Sequence, residues 1–248
     1  MLGEILLNVI VQLVYFVGAV FLIGWLMAKL NQAFYRLTGG GMAVCVATGA
    51  LGTPIHELSH AAMCLAFGHK IHDIKLFQVG DEDGVLGYVS HSYNKKNIWA
   101  VIGNYFIGVA PIIGGSGVIF LLISWLLPNA YTEISSLLSG FSSSGFSFEG
   151  ILDVCLGMIV AMCIALHVTL SGADIKGALP ALPWLAGALL VINLFLGLII
   201  PSAYVGFCAG MNSFGAYLLG LMCLSVVLSL SCFVILFLVR LVIGFFTR

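Results

Sequence analysis

The chain has few charged residues and no basic patch. Of its 248 residues only 8% are charged, with 9 Lys+Arg against 10 Asp+Glu, whereas 61% are hydrophobic. The mean hydropathy is +1.16. So few charges argue against nucleic acid as a partner and exclude an ordinary soluble domain. The composition instead predicts a polytopic helical membrane protein whose surroundings are the lipid bilayer.

Paired cysteine motifs are also absent. None of the seven cysteines belongs to a CxxC motif, and each occurs singly within or at the edge of an apolar segment. They are Cys45, Cys64, Cys155, Cys163, Cys208, Cys223 and Cys232. This distribution predicts small buried side chains rather than disulfides or metal ligands.

Apolar segments of membrane-spanning length follow one another with short polar connections. We expect a single integral membrane domain over residues 1–248, of all-α class, with about six transmembrane helices. Their expected positions are 5–28, 41–67, 98–127, 151–171, 184–209 and 214–246. The first segment has neither the basic start nor the small-residue cleavage site of a signal peptide, so we expect it to remain as a span.

A short β-hairpin is predicted between the second and third helices. Residues 71–79 and 85–93 are rich in branched and aromatic side chains, and the turn-forming residues 80–84 separate them. His69, His72 and His91 lie in or beside this hairpin. Because none has a paired spacing with another metal-binding motif, we interpret them as interfacial polar residues rather than ligands.

Lysine and arginine predict the orientation. If the amino terminus is cytoplasmic, the outside receives only Lys29 and Arg36. The cytoplasmic side then receives Lys70, Lys75, Lys95, Lys96, Lys176, Arg240 and Arg248. Basic residues concentrate on the cytoplasmic side of membrane proteins. We therefore expect both termini in the cytoplasm, with the chain in a bacterial plasma membrane.

The second apolar segment contains the sequence HELSH at residues 56–60. His56 and His60 are four residues apart, so both lie on one face of a helix and can bind the same metal ion. Glu57 can act as a general base at the open coordination position. Such polar groups are costly at bilayer depth unless they have a function. The pattern predicts a Zn²⁺ hydrolase site, against the alternatives of a structural polar cluster or metal transport.

The glycines and proline that precede HELSH predict an interruption of the helix. Residues 49–54 indicate a weakened helix and a fresh start, with Thr53 as the cap and Pro54 in the first helical position. Irregular backbone at membrane depth is tolerated beside a water-filled cavity, which a hydrolase needs. An ordinary proline kink is the alternative.

Two histidines require a third protein ligand to make a catalytic zinc site. Asp174 is the candidate, because it is expected at the inner end of the fourth span, at the level of the histidine pair. Ser171 and Gly172 could loosen the helix there and turn the aspartate inward. A helix-end aspartate paired with Lys176 is the alternative.

His167 is a second possibility for the third ligand, or a donor to a developing oxyanion. It precedes Asp174 by seven residues, so on a continuous helix both would project from the same face. The alternative is a buried histidine that is satisfied by a neighbouring backbone or hydroxyl group.

Together these residues resemble the site-2 protease family of intramembrane zinc metalloproteases. The resemblance rests on HELSH in an apolar helix, a glycine-containing hairpin, the sequence GVAPIIG at 108–114 and an aspartate close to a glycine. It covers about residues 48–118 and 160–180. It implies a three-span catalytic core at 41–180, to which 5–28 and 184–246 add further spans.

The resemblance also implies roles for individual residues. His56, His60 and Asp174 would be the zinc ligands, and Glu57 the catalytic base. In the family the aspartate usually precedes a glycine directly, whereas here two residues separate Asp174 from Gly177. This difference indicates a divergent member.

The predicted function is therefore a zinc-dependent intramembrane endopeptidase. Its partner would be a transmembrane protein substrate, cut near the cytoplasmic side of the bilayer. The hairpin could bind an extended substrate segment by strand addition, or it could simply connect two spans. A membrane zinc transporter and a catalytically idle, membrane-protein-binding relative are the competing functions.

Overall fold

The computed structural model of the chain describes residues 2–39, 42–79, 84–138 and 148–246. The expected turn at 80–84, apart from Gly84, and Arg248 lie outside these residues. Helices make up most of the described chain. They are α1 (Leu2–Leu13), α2 (Val20–Leu37), α3 (Met42–Ala66), α4 (Ile98–Leu138), α5 (Phe148–Ala165), α6 (Gly172–Ala178), α7 (Leu182–Ile199) and α8 (Pro201–Phe246).

Two short irregular helical turns connect some of these helices. A π-helical segment, Val14–Ala19, joins α1 to α2 without a break, and a 3₁₀ turn, Leu179–Ala181, joins α6 to α7. By length and composition, four stretches of the described residues can cross a membrane. They are Leu2–Leu37, Ile98–Leu126, Gly172–Ile199 and Pro201–Phe245. The prediction of an all-α membrane protein is thus confirmed in this form, and the count of six spans stays a prediction.

The predicted hairpin is present as two antiparallel strands, β1 (Lys70–Lys75) and β2 (Tyr88–Ser92). Lys70 pairs with Ser92 at one end and Lys75 with Tyr88 at the other. An irregularity between Ile71 and Asp73 shifts the register within β1. Beyond the strands, the backbone amide of Gln78 donates to the carbonyl of Leu86 at 2.7 Å, so the pairing continues toward the hairpin end.

Helix α3 runs unbroken through Pro54, so the predicted fresh helix start at Thr53 is wrong. The reason lies in packing. A Cβ atom at Gly52 would approach Cβ of His167 to 2.7 Å and the carbonyl oxygen of Cys163 to 2.8 Å. The glycine therefore permits close contact with the residues at the end of α5 instead of ending the helix. The hydrogen bond lost at Pro54 is one among many in a packed helix.

The boundary between the last two helices also differs from the prediction. It lies at Ile200, and residues 210–213, which were expected to separate two spans, are helical. Ile200 has φ −133° and ψ 66°, which is non-helical. The following residue is Pro201, and proline disfavours the α conformation in the residue before it.

The helices enclose a core that includes buried polar pairs. Helix α4 packs against α3, α5, α6, α7 and α8, and it therefore lies at the centre of the fold. Gln12 and Asn193 join α1 to α7 through two reciprocal amide hydrogen bonds of 2.9 and 3.3 Å. Both side chains are buried. Such a pair satisfies polar groups that would otherwise be exposed to lipid or apolar side chains.

Candidate functional site

Helix α3 has one face toward the core and another toward the outside of the fold. Its outward face carries Leu51, Leu58 and Leu65, spaced seven residues apart and exposed by 44%, 51% and 70%. Glu57 and His60, by contrast, are buried. The polar chemistry of HELSH is therefore directed into the bundle, as a functional site requires.

The two histidines of HELSH direct their Nε2 atoms toward the same position. Their Nε2 atoms are 3.2 Å apart. The Nδ1 atom of His56 lies 2.9 Å from the carbonyl oxygen of His167, and Nδ1 of His60 lies 2.7 Å from that of Ile107. A carbonyl oxygen only accepts, so each Nδ1 carries the hydrogen and each neutral ring presents an Nε2 lone pair. In metal-binding histidines, the ring nitrogen that does not bind the metal typically donates a hydrogen bond of this kind.

Asp174 meets the histidine pair, as the sequence predicts. Its Oδ1 atom lies 3.2 Å from Nε2 of His60, and its Oδ2 atom lies 3.9 Å from Nε2 of His56. One ligand atom from each of the three residues lies within 4.8 Å of the others. The three sequence-predicted ligand candidates are thus brought together from two distant parts of the chain.

The donor set fits a zinc ion. Two imidazole nitrogens and one carboxylate oxygen are the ligands of many catalytic zinc sites, which keep a fourth position open. Zn–N distances of about 2.0–2.1 Å place two tetrahedral nitrogen ligands roughly 3.3–3.4 Å apart. The observed separation of the Nε2 atoms is 3.2 Å. Two lone pairs facing each other beside a carboxylate are an arrangement that a cation stabilises.

Asp174 reaches the site from the start of a helix, not from the inner end of the fourth span as expected. Helix α5 ends at Ala165, and α6 begins after Ser171. Ser171 Oγ accepts from the Asp174 amide at 3.1 Å, and Asp174 Oδ2 accepts from the Ser171 amide at 2.8 Å. This capping box holds the carboxylate in the first turn of α6 while Oδ1 faces His60.

His167 contributes its backbone carbonyl to the site, and its side chain does not share a helix face with Asp174. It lies beyond the end of α5, so the helical spacing assumed between it and Asp174 does not exist. Its Nε2 atom is 3.1 Å from the hydroxyl of Tyr35 and 3.1 Å from that of Thr48. Its carbonyl oxygen accepts from His56. The residue therefore orients a candidate ligand, while its own ring is engaged by two hydroxyl groups.

Glu57 lies between two cavities of about 470 Å³ each. The first is also lined by Asp174 and Asn104, and the second by Thr53 and His167. Asn104 itself donates to carbonyl oxygens of its own helix. Among the described residues the buried Thr53 hydroxyl has no hydrogen-bond partner, and it precedes Glu57 by one helical turn. The space beside the carboxylate can therefore hold water.

The hairpin covers this site. Four of the residues 85–89 line the first cavity, and one of them, Gly87, also lines the second. A Cβ atom at Gly87 would approach Cγ of Glu57 to 2.9 Å and Cγ2 of Thr53 to 2.8 Å. Only glycine lets the hairpin backbone come so close to the glutamate. The sequence indicated a hairpin, but not which of its residues contacts Glu57.

A second group of metal-binding residue types lies near the first, and sequence reasoning missed it. Cys64, His69 and His91 each place one possible ligand atom within 4.8 Å of the others. The sequence pattern predicts a small buried cysteine and interfacial histidines at these positions. Burial, together with the neighbouring imidazoles of His69, His60 and His72, holds the pKa of His91 below its ordinary value. The available signal was that Cys64 follows His60 by four residues, on the same face of α3.

Comparison of the chain with protein-family models, curated proteins and solved structures finds no match. The resemblance to the site-2 proteases therefore stays a prediction carried by the residues named above.

Proposed function

We propose that this chain is a zinc-dependent intramembrane endopeptidase, a divergent relative of the site-2 proteases. One observation carries the proposal. Two histidine Nε2 atoms and a carboxylate oxygen of Asp174 converge beside the buried Glu57. They do so in a protein with four helical stretches, among the described residues, that are long and apolar enough to cross a bilayer.

The residues of the site divide the work of peptide hydrolysis. His56, His60 and Asp174 would hold zinc, which when bound makes water nucleophilic at neutral pH and polarises a carbonyl oxygen. Glu57 would accept the proton of the attacking water on its carboxylate and pass it to the nitrogen of the leaving amine. The carbonyl groups of His167 and Ile107 keep the imidazole rings oriented through the reaction.

The substrate would be a transmembrane segment of another protein, presented in an extended conformation. A peptide bond within a helix is shielded and must be unwound before attack. The hairpin lines the cavity that contains Glu57, so strand addition along it would hold the segment extended next to the site. The proposal includes six spans, both termini in the cytoplasm of a bacterial cell, and cleavage near the cytoplasmic side.

Zinc transport is the second candidate, and the cluster of Cys64, His69 and His91 favours it. A transporter is expected to place metal ligands at successive positions along a path. Hydrolysis accounts better for Glu57, because this buried carboxylate lies next to the ligand pair and lines two cavities from which water can reach it, as a general base requires.

The test uses the full chain reconstituted in vesicles with a single-span membrane protein. We expect cleavage that stops when 1,10-phenanthroline removes the metal and returns when Zn²⁺ is added. Zinc flux is measured in the same vesicles without substrate. Zinc flux without cleavage of any single-span protein would favour the transporter and overturn the protease.

Substitution of Gly87 by alanine should slow cleavage while leaving the zinc content unchanged. The added Cβ would lie 2.9 Å from Cγ of Glu57 and 2.9 Å from the carbonyl oxygen of Lys75, so either the hairpin or the base must shift. A misplacement of about 1 Å can cost roughly 100-fold in rate, and we expect a loss of about 10–100-fold. Cleavage rate and bound zinc are measured on the same preparation.

The matched control is Gly117→Ala on α4, where an added Cβ has no neighbour within 4 Å. It should cleave at the native rate. An unchanged rate in Gly87→Ala would show that the hairpin does not position Glu57.

A further inference from the structure

We propose that Cys64, His69 and His91 form a second metal site, selective for a thiophilic divalent cation such as Zn²⁺. The site does not depend on the proposed protease activity. It lies where the end of α3, the start of β1 and the strand β2 meet. Three features of the backbone and side chains place its ligands.

The end of α3 brings Cys64 and His69 together. Gly68 has φ +70°, the left-handed conformation in which glycine is preferred. The amide of Gly68 donates to the carbonyl of Leu65 at 3.2 Å, and the amide of His69 donates to that of Cys64 at 2.8 Å. This pair of bonds is the Schellman motif, in which the side chains of these two positions come into contact. That contact is frequently hydrophobic, whereas here it joins a thiol and an imidazole.

The hairpin register brings His91 to the same place. His91 pairs with Ile71, and His69 precedes Ile71 by two residues. Since side chains alternate along an extended segment, His69 and His91 lie on the same face as diagonal neighbours. Their Nδ1 atoms are 3.1 Å apart.

The hydrogen bonding of His69 prepares its Nδ1 atom to be a ligand. Nε2 of His69 donates to the carbonyl oxygen of Ala100 at 2.8 Å, so in the neutral ring Nδ1 carries a lone pair. The ring also stacks on Tyr93 with the centroids 4.9 Å apart. As in the two histidines of HELSH, one ring nitrogen of this buried imidazole donates to a backbone carbonyl. That bond orients the other ring nitrogen as a possible metal ligand.

The donor set selects the metal. One thiolate and two imidazoles suit Zn²⁺, whereas Mg²⁺ and Ca²⁺ require oxygen ligands. Three protein ligands leave one position for water, and His91 also lines the cavity that contains Glu57. A metal ion here would fasten β2 to the end of α3. Its occupancy would thereby help to hold the hairpin over the first site.

Cobalt distinguishes the two sites, because only the second contains a thiol. The purified 248-residue chain in detergent is freed of metal and titrated with Co²⁺. We expect thiolate-to-cobalt charge-transfer absorption in the near ultraviolet for the native chain and for the His56→Ala/His60→Ala variant. Cys64→Ser should abolish it. The control Cys232→Ser, which removes another buried cysteine, should retain it.

Metal stoichiometry gives an independent readout. The native chain should bind two zinc ions, and either Cys64→Ser or His56→Ala/His60→Ala should bind one. Equal zinc content in the native chain and Cys64→Ser, or charge-transfer absorption that survives Cys64→Ser, would overturn the proposal. A native chain with a single zinc ion that Cys64→Ser loses would instead count against the first site.

A hydrogen bond between the two imidazoles is the competing explanation, and His91→Asn tests it without removing the donor. The asparagine amide takes the place of the His91 Nδ1 atom and can still donate to Nδ1 of His69, so the chain keeps that contact. If the second site binds metal, this variant loses one zinc ion and the charge-transfer absorption. If this variant keeps that zinc ion and the charge-transfer absorption, His91 is a hydrogen-bonding residue only.

Discussion

Replacement of Glu57 by glutamine is expected to reduce cleavage about 10²–10⁴-fold, which is the usual contribution of a positioned general base. Glutamine has nearly the same shape but cannot accept the proton of the attacking water. The metal should remain, because the proposed ligands are untouched and Glu57 lies beside them, not among them. Single-turnover cleavage at saturating Zn²⁺ and the zinc content of the same sample measure both effects.

Glu4→Gln is the matched control, since it makes the same chemical change in the first turn of α1. It should cleave at the native rate. If Glu57→Gln cleaves normally, the carboxylate is not the base. If it instead loses its zinc, Glu57 acts by organising the metal site.

Replacement of Asp174 by asparagine is expected to weaken zinc binding by at least about 100-fold and to abolish cleavage. Changes to groups that merely orient a ligand already cost about 10–100-fold in metal affinity. Loss of an anionic ligand should cost at least as much. The asparagine carbonyl can still accept from the Ser171 amide, so the start of α6 is kept. Competition with a fluorescent zinc chelator measures the affinity.

The capping role of Asp174 is separated from its ligand role by Ser171→Ala. This variant loses the hydroxyl that accepts from the Asp174 amide, a cap worth about 1 kcal/mol. It should unfold slightly more easily and keep most of its zinc. Equal zinc loss in both variants would mean that Asp174 acts through the helix start alone.

His167→Ala provides the remaining comparison for the third ligand. Alanine retains the backbone carbonyl that accepts from His56, so zinc should stay bound. The ring contacts with Tyr35 and Thr48 would be lost, which should lower stability. Zinc loss in His167→Ala together with normal zinc in Asp174→Asn would reverse the assignment.

Short-range features of this protein followed from the sequence because they depend on local periodicity. Two histidines four residues apart must share a face of any helix that contains them, so the meeting of His56 and His60 needed no knowledge of the fold. The hairpin followed from two branched, aromatic-rich segments around a turn. Scarce charge and long apolar segments were sufficient to predict a helical membrane protein.

Local rules were insufficient where packing decides between conformations. The glycines and proline before HELSH indicated a helix break, yet α3 continues because Gly52 allows close contact with His167. The seven-residue spacing from His167 to Asp174 suggested a common helix face. It failed because α5 ends at Ala165 and Ser171 starts a new helix.

The sequence by itself determined the class of protein, the hairpin and the HELSH pair, since these depend on overall composition and on local residue patterns. Only the tertiary structure placed Asp174 against His56 and His60, 114 to 118 positions earlier in the chain. It also joined Cys64, His69 and His91. These meetings depend on how α4 packs α3 against α6 and on how the hairpin folds back over α3. No local spacing encodes contacts of that kind, because they form only when distant segments bury the same core.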